Sequence, residues 1–296
     1  GFFPFQRGRG GIGVPVGGPF TDIQGVIAVP GAEWSAGDLI RGCGMSVWQF
    51  DHVLASQKPF RPWQRVLTCS PMIDLPDGFE GYANTLRAAG SKQMQRLGQK
   101  QRGFERDEGP LRFEMQMQDT GVLGQLLEWK SRQYLDSGLV DAFDFPWTRA
   151  LLENILAVQS ENFGGLLSAL YAGDRLAAIH MGMRSRTIWH YWIAAYTHDF
   201  ARYSPALLLL VEMARTAASL GLTAIDMGKG PEEYKTWFAT SAVLITEGSV
   251  ELPSLARALR TARQGTEYLV RHSPLFPILR APGRMLKRFE ANRRFR

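Results

Sequence analysis

The sequence predicts a mixed α/β protein, one sheet with strands in both directions and helices packed against it. Three β-like runs follow one another directly, at 166–172, 175–183 and 187–196, separated only by Gly173-Asp174 and by 184–186. A strongly apolar helix over 205–220 then crosses to a short β-like run at 224–227. From 111 to 250 the order is β-α-α-β-β-β-α-β-α-β, which only a mixed sheet flanked by helices accommodates.

Taken in order, residues 1–73 read as short strands at 2–6, 12–16, 22–29, 45–53 and 65–73, with one short helix over 33–41. Gly8-Arg9-Gly10-Gly11-Ile12-Gly13 matches GxGxxG, but Ile12-Gly13-Val14-Pro15-Val16 is β-like, where a dinucleotide site needs a helix. A hairpin turn accounts for the glycines better. Residues 79–106 read as a helix, with Phe79, Tyr82, Leu86, Ala89, Leu97 and Phe104 near a 3.6 period and with Gly90 and Gly98 weakening it. Its other face carries Arg87, Lys92, Arg96, Lys100, Arg102 and Arg106. Those charges fit a solvated linker helix over 79–110, or the wall of a groove for an acidic or phosphorylated acceptor.

After Gly109-Pro110 come a strand at 111–117 and helices at 120–135 and 146–160, the latter apolar at Trp147, Leu151, Leu152, Ile155 and Leu156. The crossover helix has Ser204 as its N-cap, Pro205 at the first helical position, a Glu212–Arg215 pair and Gly221 as its stop. Backbone N–H groups at such a start favour anionic phosphate. A short helix from Pro231, a strand at 243–250 and an amphipathic helix at 255–270 complete the order.

Of the 296 residues 45% are hydrophobic and 21% charged, a balance of soluble globular chains. Cys43 and Cys69 have neither disulfide-framework nor metal spacing, which favours a reducing, cytoplasmic setting. The net charge of +6 lies in the tail: residues 280–296 hold seven basic side chains against Glu290. A terminal block of this kind is solvated, or meets an anionic membrane surface or an acidic partner, whereas the near-neutral remainder argues against nucleic acid.

Particular residues then carry a resemblance. Lys130, Tyr134, Gly138 and Asp141 in LEWKSRQYLDSGLVDAF, Phe200-Ala201-Arg202-Tyr203-Ser204-Pro205, and Asp226-x-Gly228-x-Gly230 followed by Tyr234-Lys235 and Phe238 are similar to the GNAT acyltransferases. More narrowly, the chain resembles their two-lobed branch, the FemAB-type transferases and the CelD-type acetyltransferases of polysaccharide biosynthesis. The resemblance implies two tandem GNAT-like lobes: 1–78 the remnant of a first lobe lacking its opening elements, 79–110 a linker, 111–250 the acyltransferase domain, and 251–296 a C-terminal helix and basic tail. It implies acyl-CoA as a co-substrate with no permanent cofactor, and an amino or hydroxyl acceptor such as a sugar or polysaccharide precursor. Transfer from aminoacyl-tRNA, or a scaffold without catalysis, are the alternatives it leaves open. The glycine-rich loop of ordinary GNAT enzymes is missing, because Arg202 to Ala206 contains no glycine and Pro205 removes a donor.

The resemblance and the chemistry of acyl transfer single out Asp226 and Lys235 as catalytic candidates, base and oxyanion partner. Asp226 is equally suited to cap a turn and Tyr234 to pack. Tyr196, Arg202, Tyr203, Ser204 and Ala206 are the donor-binding candidates. Lys130, Tyr134, His190, Trp192 and Tyr234 are the acceptor-binding candidates. A hairpin turning at Ser185-Arg186 would set His180 opposite Tyr191 and put His180 and His190 on opposite faces, against a shared metal. No P-loop, nucleophile elbow, HExxH or CxxC occurs.

Overall fold

The computed structural model describes residues 1–230 and 232–253. In chain order the elements are β1 Gln6–Arg7, β2 Ile12–Val14, α1 Ala36–Gly42, β3 Val47–Leu54, β4 Gln64–Asp74, α2 Gly78–Ala88, α3 Gln93–Glu108, β5 Leu111–Glu114, α4 Thr120–Asp136 and α5 Pro146–Ala157. They continue with β6 Gly164–Ala172, β7 Arg175–Arg184, β8 Ile188–Tyr196, α6 Pro205–Thr216, β9 Ala224–Asp226, α7 Glu233–Phe238 and β10 Ser241–Glu251. The helix expected at 255–270 and the basic tail at 280–296 lie outside the described residues, as does Pro231.

The described chain divides into two units, 1–69 with 243–253, and 70–242. In the first, β1 and β2 form an antiparallel hairpin, β2 runs parallel to β3, and β3 pairs antiparallel with β10. Gly10, at φ +68°, lies in the hairpin turn, so the GxGxxG match is turn chemistry. The core gathers Trp48, Phe50, Phe60, Ile40, Val53 and Val250, with the Trp48 and Phe60 rings 5.0 Å apart. The strands expected at 2–6 and 22–29 reduce to isolated bridges, Phe2 with Ile27 and Gln24 with Val53, apart from Gln6 in β1. At Gln24 the cause is visible: its side-chain oxygen accepts the N–H groups of Asp51 and His52, doing locally what a strand ladder would have done.

In the second unit β5, β6, β7 and β8 pair antiparallel in sequence, β8 runs parallel to β9, and β9 pairs antiparallel with Met72–Asp74 of β4. The core lies between this sheet and α2, α3 and α6, through Leu86, Leu97, Phe104, Leu166, Trp189, Leu209 and Ile225. In place of a single helix over 79–110 there are two, α2 and α3, because Gly90 takes φ +77° and closes α2. Both carry buried residues of this core, so they are packed elements.

The β7–β8 connection also departs from expectation. The turn spans Ser185 to Ile188, closed by the Ser185 N–H on the Ile188 carbonyl, and Arg184 faces Trp189. His180 therefore lies opposite Ala194, not Tyr191. Further along, Met181 pairs with Ile193 and Met183 with His190, so Gly182 alone stands opposite Tyr191 and Trp192, a one-residue bulge in β8. A Cβ on Gly182 would come within 2.1 Å of the His190 carbonyl, so glycine is required there.

Helix α6 is buried at Leu208, Leu209, Leu210, Val211, Met213 and Ala214, and Glu212 pairs with Arg215 at 3.5 Å. Its start is not a side-chain cap. Ser204 sits in the left-handed region at φ 56°, ψ 54°, and its hydroxyl accepts a hydrogen bond from Lys100 of α3 at 2.6 Å. The N–H groups of Leu207 and Leu208 both return to the Ser204 carbonyl. With Pro205 offering no N–H, Ala206 is the first-turn donor left for a ligand.

Candidate active site

β9 accompanies β8 only from Ile188 to His190, and β8 then runs on to Tyr196 with no strand on that side among the described residues. The parting opens a cavity of about 470 Å³. Its floor is β8, through Tyr191, Ala194, Ala195 and Tyr196, and one wall is α4, through Trp129, Lys130, Arg132 and Gln133. The other side is formed by Thr197 to Asp199, by Ser204, Ala206 and Leu207 at the start of α6, and by Glu232 and Tyr234. A strand edge, a helix start and a lining that mixes aromatic with charged and polar side chains thus meet at the point where the sheet opens, a usual place for ligands in α/β folds.

Of the residues expected from the sequence, Lys130, Tyr196, Ser204, Ala206 and Tyr234 come together in this cavity. Lys130 donates to the Ala194 carbonyl at 3.3 Å and stands 5.7 Å from the centre of the Tyr134 ring. Burial holds its ammonium below the usual lysine range, with Glu232 opposing and Lys235 adding to that shift. Burial likewise raises the hydroxyls of Tyr134, Tyr191 and Tyr234, so all three remain protonated.

Asp226 and Lys235 do not line the cavity. Asp226, 8% exposed, receives the Ser70 hydroxyl and, at 2.9 Å, the Gly228 N–H, with His190 Nδ1 at 3.9 Å from its other oxygen. Lys235, 7% exposed, donates to the carbonyls of Gly228 at 3.1 Å and Lys229 at 3.3 Å and pairs with Glu232 at 3.1 Å. Together they hold Gly228 and Lys229, and Lys235 also holds Glu232, which with Tyr234 lines the cavity. Arg202 and Tyr203 also lie outside the lining. Tyr203 stacks on Phe104 at 4.4 Å and donates to Asp107, while Arg202 contacts the Tyr203 hydroxyl and approaches Asp107 at 3.5 Å. His190 and Trp192 are not lining residues either.

His180 stacks on Tyr191 at 4.8 Å and meets Trp189 edge-on, on the face of β8 that His190 does not share. It is fully buried, both ring nitrogens lack a partner, and burial pushes its pKa down to about 3. Among the described residues no group of three or more His, Cys, Asp or Glu is placed to hold a metal ion.

Sequence reasoning passed over Trp129, Gln133, Tyr191, His198 and Glu232. Glu232 had a signal, since it lies in the same turn as Asp226 and three residues before Lys235. The α4 positions had one in the helical spacing of Trp129, Lys130 and Gln133.

Residues 91–236 match the family model for the acetyltransferase (GNAT) domain. The chain carries a GNAT-type acetyltransferase domain. The cavity and the four elements that build it fall within or directly beside that stretch. No curated protein matches the chain. Among solved structures, a conserved protein of unknown function from Bacteroides thetaiotaomicron shares the fold at TM-score 0.51 and 12% identity, over 73% of each chain. The C-terminal (DUF2156) domain of a lysylphosphatidylglycerol synthetase from Agrobacterium fabrum aligns at TM-score 0.48 and 14% identity, over 79% of this chain and 75% of that one. FemX aligns at 0.48 and 11%, over 76% of each. The GNAT domain supports acyl transfer as the activity. No helix among the described residues is long and apolar enough to cross a membrane.

Proposed function

We propose that the protein transfers an acetyl or other acyl group from a coenzyme A thioester to an amino or hydroxyl acceptor, as CelD-type acetyltransferases resembling it would on a sugar or polysaccharide precursor. The observation that carries this is the parting of β8 from β9 after His190, with the β8 bulge at Tyr191–Trp192 beside it. An unpaired strand edge offers main-chain partners to the amides of a pantetheine arm. The start of α6 at the other end of the same cavity offers the Ala206 N–H and the helix dipole to a diphosphate. Ser204 in the left-handed region makes the tight approach that glycines make in ordinary GNAT loops. Trp129 and Tyr196 give an acceptor ring flat surfaces, and Glu232 and Gln133 give it hydrogen-bond partners. Asp226 and Lys235 act by holding the turn that presents Glu232 and Tyr234.

Isothermal titration with acetyl-CoA tests this reading, followed by thiol release against a panel of amines, amino sugars and alcohols. Saturable binding is expected, weakened at least about tenfold, or ~1.4 kcal/mol, by Ala206→Asp, which sets a negative charge against the diphosphate. A folded protein that binds no acetyl-CoA at millimolar concentration would overturn the reading in favour of transfer from aminoacyl-tRNA or a scaffold.

A further inference from the structure

We propose that Lys130 is the proton-transfer residue of this site, taking the proton of the acceptor amine and returning it to the departing thiolate. The inference rests on the acyl-transfer reading above and adds a catalytic residue to it. Acyl transfer to an ammonium acceptor releases a proton before attack and consumes one when the carbon–sulfur bond breaks. A single group beside the strand edge serves both steps. R–NH3+ gives its proton to the Lys130 amine; the free amine attacks the thioester carbon; the C–N bond forms as the C–S bond breaks. The Lys130 ammonium then protonates the thiolate, and the proton that the new amide nitrogen sheds leaves with solvent.

Several other titratable groups near the cavity are engaged elsewhere, Asp199 among them through Arg175 at 2.9 Å. Both oxygens of Asp226 lie outside the cavity, one of them holding Ser70 and Gly228. The Lys235 ammonium is spent on two carbonyls and Glu232. Glu232 reaches the cavity, but its carboxylate is held by the Lys235 ammonium at 3.1 Å. Tyr191 and Tyr234 hold their protons too firmly to give them up, and His198 is exposed at the rim.

Lys130 projects from α4 into the cavity, and its Nζ makes one hydrogen bond, to the carbonyl of Ala194 on β8, beyond the point where β9 leaves that strand. Burial sets its charge first, opposed by Glu232 from the turn and reinforced by Lys235 of α7; Tyr134 of its own helix, Tyr191 of the floor and Tyr234 of α7 are the other titratable groups around it. The second lysine and the apolar wall together favour the neutral amine, and one carboxylate already committed elsewhere does not reverse this. A lysine so placed gives up its proton more readily than an exposed one and stands where an acceptor amine would sit.

The test has two arms on the full chain. In the first, each lysine is labelled with trace deuterated acetic anhydride across a pH series and read by mass spectrometry. Lys130 is expected to become reactive at lower pH than the exposed Lys92 and to be protected by acetyl-CoA. Titration together with Lys92, or no protection in a protein that does bind acetyl-CoA, would overturn the proposal while leaving the acyl-transfer reading intact. In the second, the best acceptor from the panel is used with Lys130→Arg and Lys130→Ala. Both should keep acetyl-CoA binding and lose about 10²–10³-fold in kcat. Trimethylamine, which cannot be acylated, should restore part of the Lys130→Ala rate. Unchanged kcat in either variant, or no rescue in a variant that still binds the donor, sinks the base role. Failure of the wild type to bind acetyl-CoA removes the reading beneath it and the proposal with it.

Discussion

The two sides of the cavity are built on opposite principles. The 226–238 side is closed and satisfied: Asp226 holds a hydroxyl and a backbone N–H, and Lys235 ties two carbonyls to a carboxylate. The 197–206 side is open and strained, with Ser204 in a left-handed conformation, Pro205 withholding a donor and Lys100 reaching over from α3. The residues that look most chemical in the sequence, Asp and Lys in a glycine-rich turn, are the frame, and the ligand-facing groups are the less conspicuous ones that the frame presents.

Three perturbations would break or sharpen that contrast. The largest effect is expected at Asp226. Asp226→Ala strands the Ser70 hydroxyl and the Gly228 N–H in a buried site and should cost about 2–4 kcal/mol in urea denaturation. A variant of unchanged stability that lost only turnover would show Asp226 acting in the chemistry and would abolish the contrast.

The second concerns the floor beneath Tyr191. The pKa of His180 lies at about 3 in the folded protein, against 6.5 for the free side chain, so between those values the unfolded chain binds the extra proton. Its neutral burial is therefore fully compatible with folding above pH 6.5, and stability falls as pH drops through that window. The slope contributed by this one group is at most ~1.4 kcal/mol per pH unit. His180→Phe, which keeps the ring stack and removes two orphaned nitrogens, should flatten the profile from pH 6.5 to 4. An identical profile in the variant would assign the acid sensitivity elsewhere.

The smallest effect is expected on the strained side. Ser204→Gly removes the left-handed penalty and should raise stability by about 1 kcal/mol or less, because the lost contact with exposed Lys100 is worth little. Donor affinity should change less than with Ala206→Asp. A marked loss of stability would mean that the Lys100–Ser204 hydrogen bond, and not backbone geometry, holds the helix start.

Much of the frame was legible because it rests on local pattern. β6, β7, β8 and α6 have long apolar runs bounded by glycine or polar turns, and each forms within a few residues of its expected limits. Where a side chain substitutes for the backbone, pattern fails: Gln24 satisfies the N–H groups of Asp51 and His52, and a strand-like stretch becomes loop. Where one residue is inserted, register fails, as at the β8 bulge and the longer Ser185–Ile188 turn. Of the expected site residues, Lys130, Tyr196, Ser204, Ala206 and Tyr234 share the cavity, and motif or helix-start chemistry marks them in the sequence, whereas Tyr191 reads in the sequence as one more buried position of an alternating strand.

The unpaired edge of β8 also carries a hazard. Six residues of strand with a bare flank invite a foreign strand to add, as exposed sheet edges do wherever they are left unguarded. Lys130 occupies the Ala194 carbonyl, the bulge twists the strand out of register for a straight partner, and the start of α6 closes the far end. An opening in the sheet is thus paired with features that disfavour the addition of a foreign strand.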